Sequence, residues 1–308
     1  MKSYKDFFIY KIAAAKIHKF IVMINPEAEM RRVYYKTYHR YPNLKEPKNL
    51  IEKIYWMQLH TDTSLWTKCA DKYAMREYIK ECGYEDRLPQ NYGHWTNVDD
   101  IDFDALPNEF VLKSNNGCGT VIVVKNKREL DIKKTKRKLN QWLRVPYGWA
   151  GGQLHYTRIK PCIIAEELLK QESDNVSGVS NPLTDYKIWC FSGIPECVLV
   201  VHNRSMKINY TLDMYDINWE RIPNSLKTNH HFTGEEDMYP KPICLEQMLA
   251  MASKLSTPFP EVRVDFYVIK DKPIVGELTF TSGYGNYTDD FYDYLGNKLD
   301  LSKVEIIK

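Results

Sequence analysis

Residues 262–280, VRVDFYVIKDKPIVGELTF, constrain this chain more than any other stretch. Two runs rich in β-branched and aromatic residues flank a Lys-Asp-Lys segment, which is the pattern of an antiparallel hairpin. With the turn centred on Asp271, Asp265 faces Glu277, Arg263 faces Thr279 and Tyr267 faces Val275. Side chains alternate along a strand, so Arg263, Asp265, Glu277 and Thr279 share one face. Val262, Val264, Phe266 and Val268 then share the other with Ile274, Leu278 and Phe280, and that apolar face is the core. The polar face sets two carboxylates opposite one another, ~5 Å apart, where like charges repel. A hard divalent cation such as Mg²⁺ would compensate them. A surface face on which Arg263 neutralises one acid is the competing reading.

The other segments supply the layers around this hairpin. The first 60 residues read mainly as helices, followed by a helix over 71–83 that ends on Gly83, a C′ glycine. Residues 89–107 read as loop, and EFVLKS and TVIVVK as strands on either side of Asn115-Asn116-Gly117-Cys118-Gly119. A basic helix (DIKKTKRKLNQWLR), a strand (PCIIAEELL), a hairpin (DYKIWCF with ECVLVV) and the helix LEQMLAMASKL complete the order. Such an order describes α+β layers and not a doubly wound parallel sheet. The divisions are a helical N-terminal region (1–60), a connecting segment (61–109), a small glycine-loop subdomain (110–170) and a C-terminal subdomain (171–308).

Charge and cysteine content narrow the classes. With 43 Lys+Arg against 40 Asp+Glu, the net charge of +3 is too small to make nucleic acid the main partner. Seven cysteines without a C-x-x-C pair read as reduced thiols of a cytoplasmic protein. No stretch reaches the ~20 apolar residues of a membrane span. The N-terminal segment is apolar in patches but interrupted by Lys5, Lys11, Lys16 and Lys19. It reads as a basic amphipathic helix, packed on the body first and attached peripherally to an anionic membrane second.

Lys113 ends a strand just before the glycine loop. Glycines let backbone N–H groups approach phosphate oxygens, and a lysine adds a point charge. No G-K-[ST] follows, so this is not a Walker A loop. Glu166 and Glu167 close an apolar strand, and Asp185-Tyr186-Lys187 opens another. Asp100-Ile101-Asp102 and Asp102-Phe103-Asp104 fit the D-x-D pattern of metal-dependent glycosyltransferases but lack a flanking apolar strand. His230-His231 has no partner at metal spacing.

The ordered set WTKCADKYAMREYI, FVLKSNNGCGTVIV, KPCIIAEELL, DYKIWCFSG, VRVDFYVIKDKPIVGELTFTSGYG and DYLGNKLDL resembles the TupA-like group of the ATP-grasp superfamily over roughly residues 60–300. The resemblance implies the ATP-grasp fold, with nucleotide held between a small lid and a larger antiparallel-sheet subdomain. It implies ATP and Mg²⁺ as cofactors. Lys72 and Lys113 match the two ATP-grasp lysines, and Ser114, Asn115, Asn116, Gly117, Cys118 and Gly119 match the loop over the β- and γ-phosphates. Glu166, Glu167 and Leu169 match the hinge that receives adenine. Asp185 matches a ribose-contacting position, with Lys187 beside it. Asp265 and Glu277 match the magnesium ligands and Arg263 the arginine near the transferred phosphoryl group; Lys113 and Arg263 are the catalytic pair. Thr279 stands where many members have the Asn of E-x-N, offering a hydroxyl as ligand.

The activity implied by the resemblance is that of an ATP-dependent carboxylate–amine ligase working through an acyl-phosphate. Its expected substrates are a hexuronic-acid carboxylate of a surface polysaccharide, or its precursor, and an amino acid or amine. Peripheral association with polysaccharide-assembly machinery is the expectation for partners. A glycosyltransferase using a nucleotide sugar is the alternative.

Overall fold

The computed structural model describes residues 15–170, 183–203, 210–227, 232–233 and 238–307. His230-His231 therefore lies outside the described residues. The chain divides into two compact units, each drawn from three segments. The first comprises Met1–Pro42, Asp62–Arg76 and Pro89–Leu168; the second comprises Asn43–Thr61, Glu77–Leu88 and Leu169–Lys308.

The first unit carries the helices α1 (15–24) and α2 (Pro26–Tyr38), the short helix α4 (Ser64–Ala70) and an antiparallel sheet of order β1-β4-β2-β3. Its strands are β1 (Asn91–Trp95), β2 (Phe110–Ser114), β3 (Val121–Val124) and β4 (Ile163–Glu166). Phe110, Leu112, Val124, Ile163 and Ala165 form one buried layer with Val98, Ile101, Phe103 and Leu106. Leu139 and Trp142 of α6 (Ile132–Leu143) close it. Each fully buried side chain of this size contributes about 1.5–3 kcal/mol. The buried stripe of α6 recurs at Thr135, Leu139 and Trp142, while Lys133, Lys134, Arg137 and Lys138 are exposed, so its charge run is a solvated face.

Two local expectations change here. Residues 91–95 form a strand and not loop, because pairing with β4 supplies the ladder that NYGHW does not advertise. The helix expected over 71–83 is confined to α5 (Met75–Glu81). The Asp71 carboxylate accepts from the N–H groups of Tyr73 and Ala74 at 2.8 and 3.2 Å, so the chain turns there first. Gly83, with φ +82°, ends the helix as its position predicts.

The second unit is a six-stranded sheet of order β10-β9-β5-β6-β7-β8. It contains β5 (Asp185–Phe191), β6 (Ile194–His202), β7 (Tyr210–Asp216), β8 (Phe232–Thr233), β9 (Val262–Ile269) and β10 (Lys272–Thr279). Every neighbouring pair is antiparallel except β7 and β8. The helix α8 (Leu245–Ser256) packs on β5, β6 and β9 through a face that includes Met248, Met251, Ala252 and Leu255. In the same unit, α3 (Leu50–His60) packs against α9 (Asp289–Lys298). The Lys53 Nζ donates to the carbonyls of Gly296 and Leu299 at 2.8 and 2.7 Å. A side chain at Gly296 would overlap the backbone of Lys48 and Asn49, so the close approach requires glycine.

The β9–β10 hairpin confirms part of the expected register and corrects the rest. Glu277 pairs with Asp265 and Thr279 with Arg263 as expected. Nearer the tip, Tyr267 pairs with Ile274, not Val275. The turn is the two-residue Lys270-Asp271, both at positive φ, and the register shifts by one at Gly276. That bulge puts Val275 in the core, 1% exposed, in place of Ile274.

Candidate functional site

In the second unit, Asp185 and Lys187 of β5 and Arg263 and Asp265 of β9 point from one sheet face, because Lys187 pairs with Asp265 and Trp189 with Arg263. The buried Asp265 carboxylate accepts from Arg263 Nε and an Nη at 2.6 and 2.7 Å, a two-pronged contact between residues two apart on one strand. Lys187 Nζ reaches the same carboxylate at 2.5 Å and lies 3.8 Å from Asp185. Arg263 also donates to Thr279 Oγ1 at 3.2 Å, stands 3.6 Å from Glu277 and lies 5.2 Å from the Trp189 ring centre. Burial disfavours the guanidinium charge, but Asp265 together with Glu277 and Tyr287 outweighs it and raises the Arg263 pKa above its ordinary value. The compensation that the facing acids need is thus supplied within the fold by Arg263 and Lys187. Glu277 is the more open acid, its side chain 34% exposed.

Sequence reading missed Glu261, two positions before Arg263. It is fully buried, and neither carboxyl oxygen has a hydrogen-bond partner among the described residues. Burial raises its carboxyl pKa well above the usual range, against the opposing pull of Arg263.

In the first unit, the loop after β2 is anchored at its base and open at its tip. Asn115 is buried and its side-chain amide is fully used. It donates to Asp71 Oδ2 at 2.9 Å and to the Lys160 carbonyl at 3.1 Å, and it accepts from the Cys162 N–H at 2.8 Å. Ser114 Oγ and Thr120 Oγ1 close the neck at 2.6 Å. A Cβ on Gly117 would overlap both hydroxyls. Gly119 has φ +69° and open space where a side chain would stand. Ser114, Asn115 and Asn116 are buried, whereas Cys118 and Gly119 are exposed, so the tip is the part that a ligand can reach. Lys72 donates from Nζ to the Gly117 carbonyl at 2.9 Å, and its N–H donates to the Asn115 carbonyl at 3.0 Å.

Lys113 Nζ meets the buried Glu166 carboxylate at 2.6 Å, and Arg76 reaches its other oxygen at 3.2 Å. Arg76 is the second residue that sequence reading missed; its place four residues after Lys72 was the available signal. Glu167 is exposed, and its N–H donates to the Gln90 carbonyl at 2.9 Å. Leu169 is half-buried just beyond.

Other candidates receive structural roles. Ile101 and Phe103 enter the core of the first unit, while Asp102 caps the N–H groups of Asp104 and Ala105 and Asp100 accepts from Asn97. The D-x-D pattern is therefore loop capping around two anchors. Around the short helix α7 (Leu154–Thr157) of the same unit, Tyr147 packs edge-on to Tyr156 and His155 packs edge-on to Trp66.

His155 is fully buried, and desolvation, reinforced by Arg158, lowers its pKa to about 3. The unfolded chain takes up that proton near 6.5 and the folded chain only near 3, so falling pH favours unfolding across that window. A slope of about 1.4 kcal/mol per pH unit is the expected contribution. Denaturant melts between about pH 6.5 and 5 should show it, and His155→Gln should flatten it; an unchanged slope would refute the assignment.

A model of the family described as "TupA-like ATPgrasp" matches residues 52–300. The chain has the ATP-grasp fold. It belongs to the TupA-like ATP-grasp family. No curated protein matches. Among solved structures, it is similar to D-alanine–D-alanine ligase from Bacillus anthracis complexed with ATP, at 16% identity and a TM-score of 0.42, over 70% of this chain and 56% of that one. It is also similar to the ATP-grasp ligase PsnB complexed with minimal precursor, at 10% identity and 0.42, over 78% and 61%. For D-alanine–D-alanine ligase from Helicobacter pylori the figures are 17% and 0.42, over 75% and 58%. The chain spans less than two thirds of the length of each of these three.

Proposed function

We propose that this protein is an ATP-dependent carboxylate–amine ligase. The observation that carries the reading is the paired-strand cluster of Asp265, Glu277, Arg263, Lys187 and Thr279 in a chain of this family. In the reaction, a carboxylate oxygen attacks the γ-phosphorus of ATP, giving an acyl-phosphate and ADP. An amine nitrogen then attacks the acyl carbon and phosphate leaves. Phosphoryl transfer needs alignment and charge neutralisation more than covalent help, and fixed cations provide both.

The roles follow the family resemblance. Lys72, Lys113 and the tip of the 114–119 loop hold the phosphates of ATP; Glu166, Glu167 and Leu169 receive adenine, and Asp185 with Lys187 the ribose side. Arg263 steadies the transferred phosphoryl group. No group of three or more His, Cys, Asp or Glu able to hold a metal occurs among the described residues. Two carboxylates nevertheless suit Mg²⁺, which commonly takes one or two and completes its shell with substrate phosphates and water. Asp265, Glu277 and Thr279 would hold it. The metal would supply charge neutralisation for the phosphates, and Arg263 and Lys187 fix the orientation of the Asp265 carboxylate. The substrates are a hexuronic-acid carboxylate on a surface glycan or its precursor and an amino acid or amine.

Mg-ATP is expected to raise the melting temperature, since a ligand at ~100 times its dissociation constant adds about 2.7 kcal/mol to the folded state. The same ligand should protect the exposed Cys118 from alkylation, while Cys69, Cys162, Cys190, Cys197 and Cys244 are buried. ADP release on mixing uronic acids with amino acids then reads the chemistry. Stabilisation by UDP- or GDP-sugars alone would overturn the ligase reading in favour of a glycosyltransferase.

A further inference from the structure

The helix α1 has apolar residues on two sides, and among the described residues only one is packed. Ala15 and Val22 are buried, His18 Nδ1 meets the buried Glu29 at 3.0 Å, and Lys19 Nζ lies 5.4 Å from the Trp149 ring centre. On the other side Ile17, Phe20, Met23 and Ile24 are 63–68% exposed. Ile17, Phe20 and Ile24 fall at i, i+3 and i+7, which is one stripe of a helix. Exposed lysines, Lys16 and Lys19, border that stripe. A contiguous patch of four large apolar side chains is rare on a folded surface and marks an interaction site.

We propose that this stripe docks the protein on an anionic lipid bilayer, with the helix lying in the interface plane. Charge selects this occupant. The first 24 residues hold five lysines against the single acid Asp6, an excess larger than the +3 of the whole chain. A second copy of the chain meeting the stripe about a two-fold axis would set two lysine-bordered patches against one another, where like charges repel. A bilayer accepts the apolar side chains below its headgroups and the lysines among anionic phosphates. The described residues contain no helix long and apolar enough to cross a membrane, so the mode is attachment in the interface.

Co-sedimentation of the full chain with vesicles of phosphatidylcholine, with and without a quarter phosphatidylglycerol, tests the proposal. The anionic vesicles are expected to pellet the protein, and pure phosphatidylcholine to pellet far less. Raising salt to about 0.5 M should release it, because screening shortens the reach of the lysines. Phe20→Glu with Ile24→Glu should abolish pelleting, and Lys16→Glu with Lys19→Glu should weaken it by at least about fivefold per lysine. These positions are exposed, so circular dichroism and the Mg-ATP melting shift should not change. Failure of the wild type to pellet with anionic vesicles would overturn the proposal. So would pelleting of the Phe20→Glu, Ile24→Glu protein at the wild-type level. A wild-type dimer that this double substitution dissociates, without vesicle binding, would assign the stripe to a second copy instead.

Discussion

Asp265→Asn is expected to lower ATP-dependent ADP release by at least about a hundredfold and to destabilise the second unit by about 3–5 kcal/mol. The double effect follows from what the carboxylate touches. Its two oxygens carry Arg263 and Lys187 at 2.5–2.7 Å, so an amide removes the charge both cations share and leaves them only the more distant Glu277 at 3.6 Å and Asp185 at 3.8 Å. Glu277→Gln is the informative comparison. Glu277 is partly open and 3.6 Å from Arg263, so this change should depress turnover while leaving the melt close to wild type. Denaturant melts and ADP release measured on both variants separate the roles. An Asp265→Asn protein with wild-type turnover and stability would refute the central place given to this cluster.

Asn115→Ala is expected to cost the first unit about 3–5 kcal/mol, a large effect for one small polar side chain. Three hydrogen bonds vanish at once, each worth about 0.5–1.5 kcal/mol, and the Cys162 N–H and Asp71 carboxylate lose a buried partner. Since Lys72 is tied to the Asn115 carbonyl and to Gly117, a loosened loop should also weaken Mg-ATP binding. Asn115→Asp should be worse at neutral pH, because a carboxylate would face Asp71. Melting curves and hydrogen exchange across 112–120 give the readout; a melt within about a degree of wild type would show that the loop stands without this anchor.

Alternation made the site end of the β9–β10 hairpin legible, because one residue of slip would have turned its polar row into the core. The tip was not legible in the same way. A two-residue turn and the bulge at Gly276 each move the register, and a lone glycine inside a strand was the sole hint. The strand 91–95 escaped because NYGHW has no β-branched residue; its identity comes from β4, far along the chain. The Arg263–Asp265 contact is local and readable at a spacing of two. Lys187 on Asp265 depends on β5 lying beside β9, and Arg76 on Glu166 on a fold 90 residues wide. Pairings of that range are set by topology, which periodicity does not encode.

The packing of α3 on α9 gives the chain a timetable. Lys53 waits for carbonyls 243 and 246 positions downstream before its ammonium has partners. At about 5–20 residues per second of synthesis, that is a delay of about 10–50 s during which the early helix has no finished seat. The second unit thus closes only after nearly the whole polypeptide has emerged, and its earliest element is among its last to be secured.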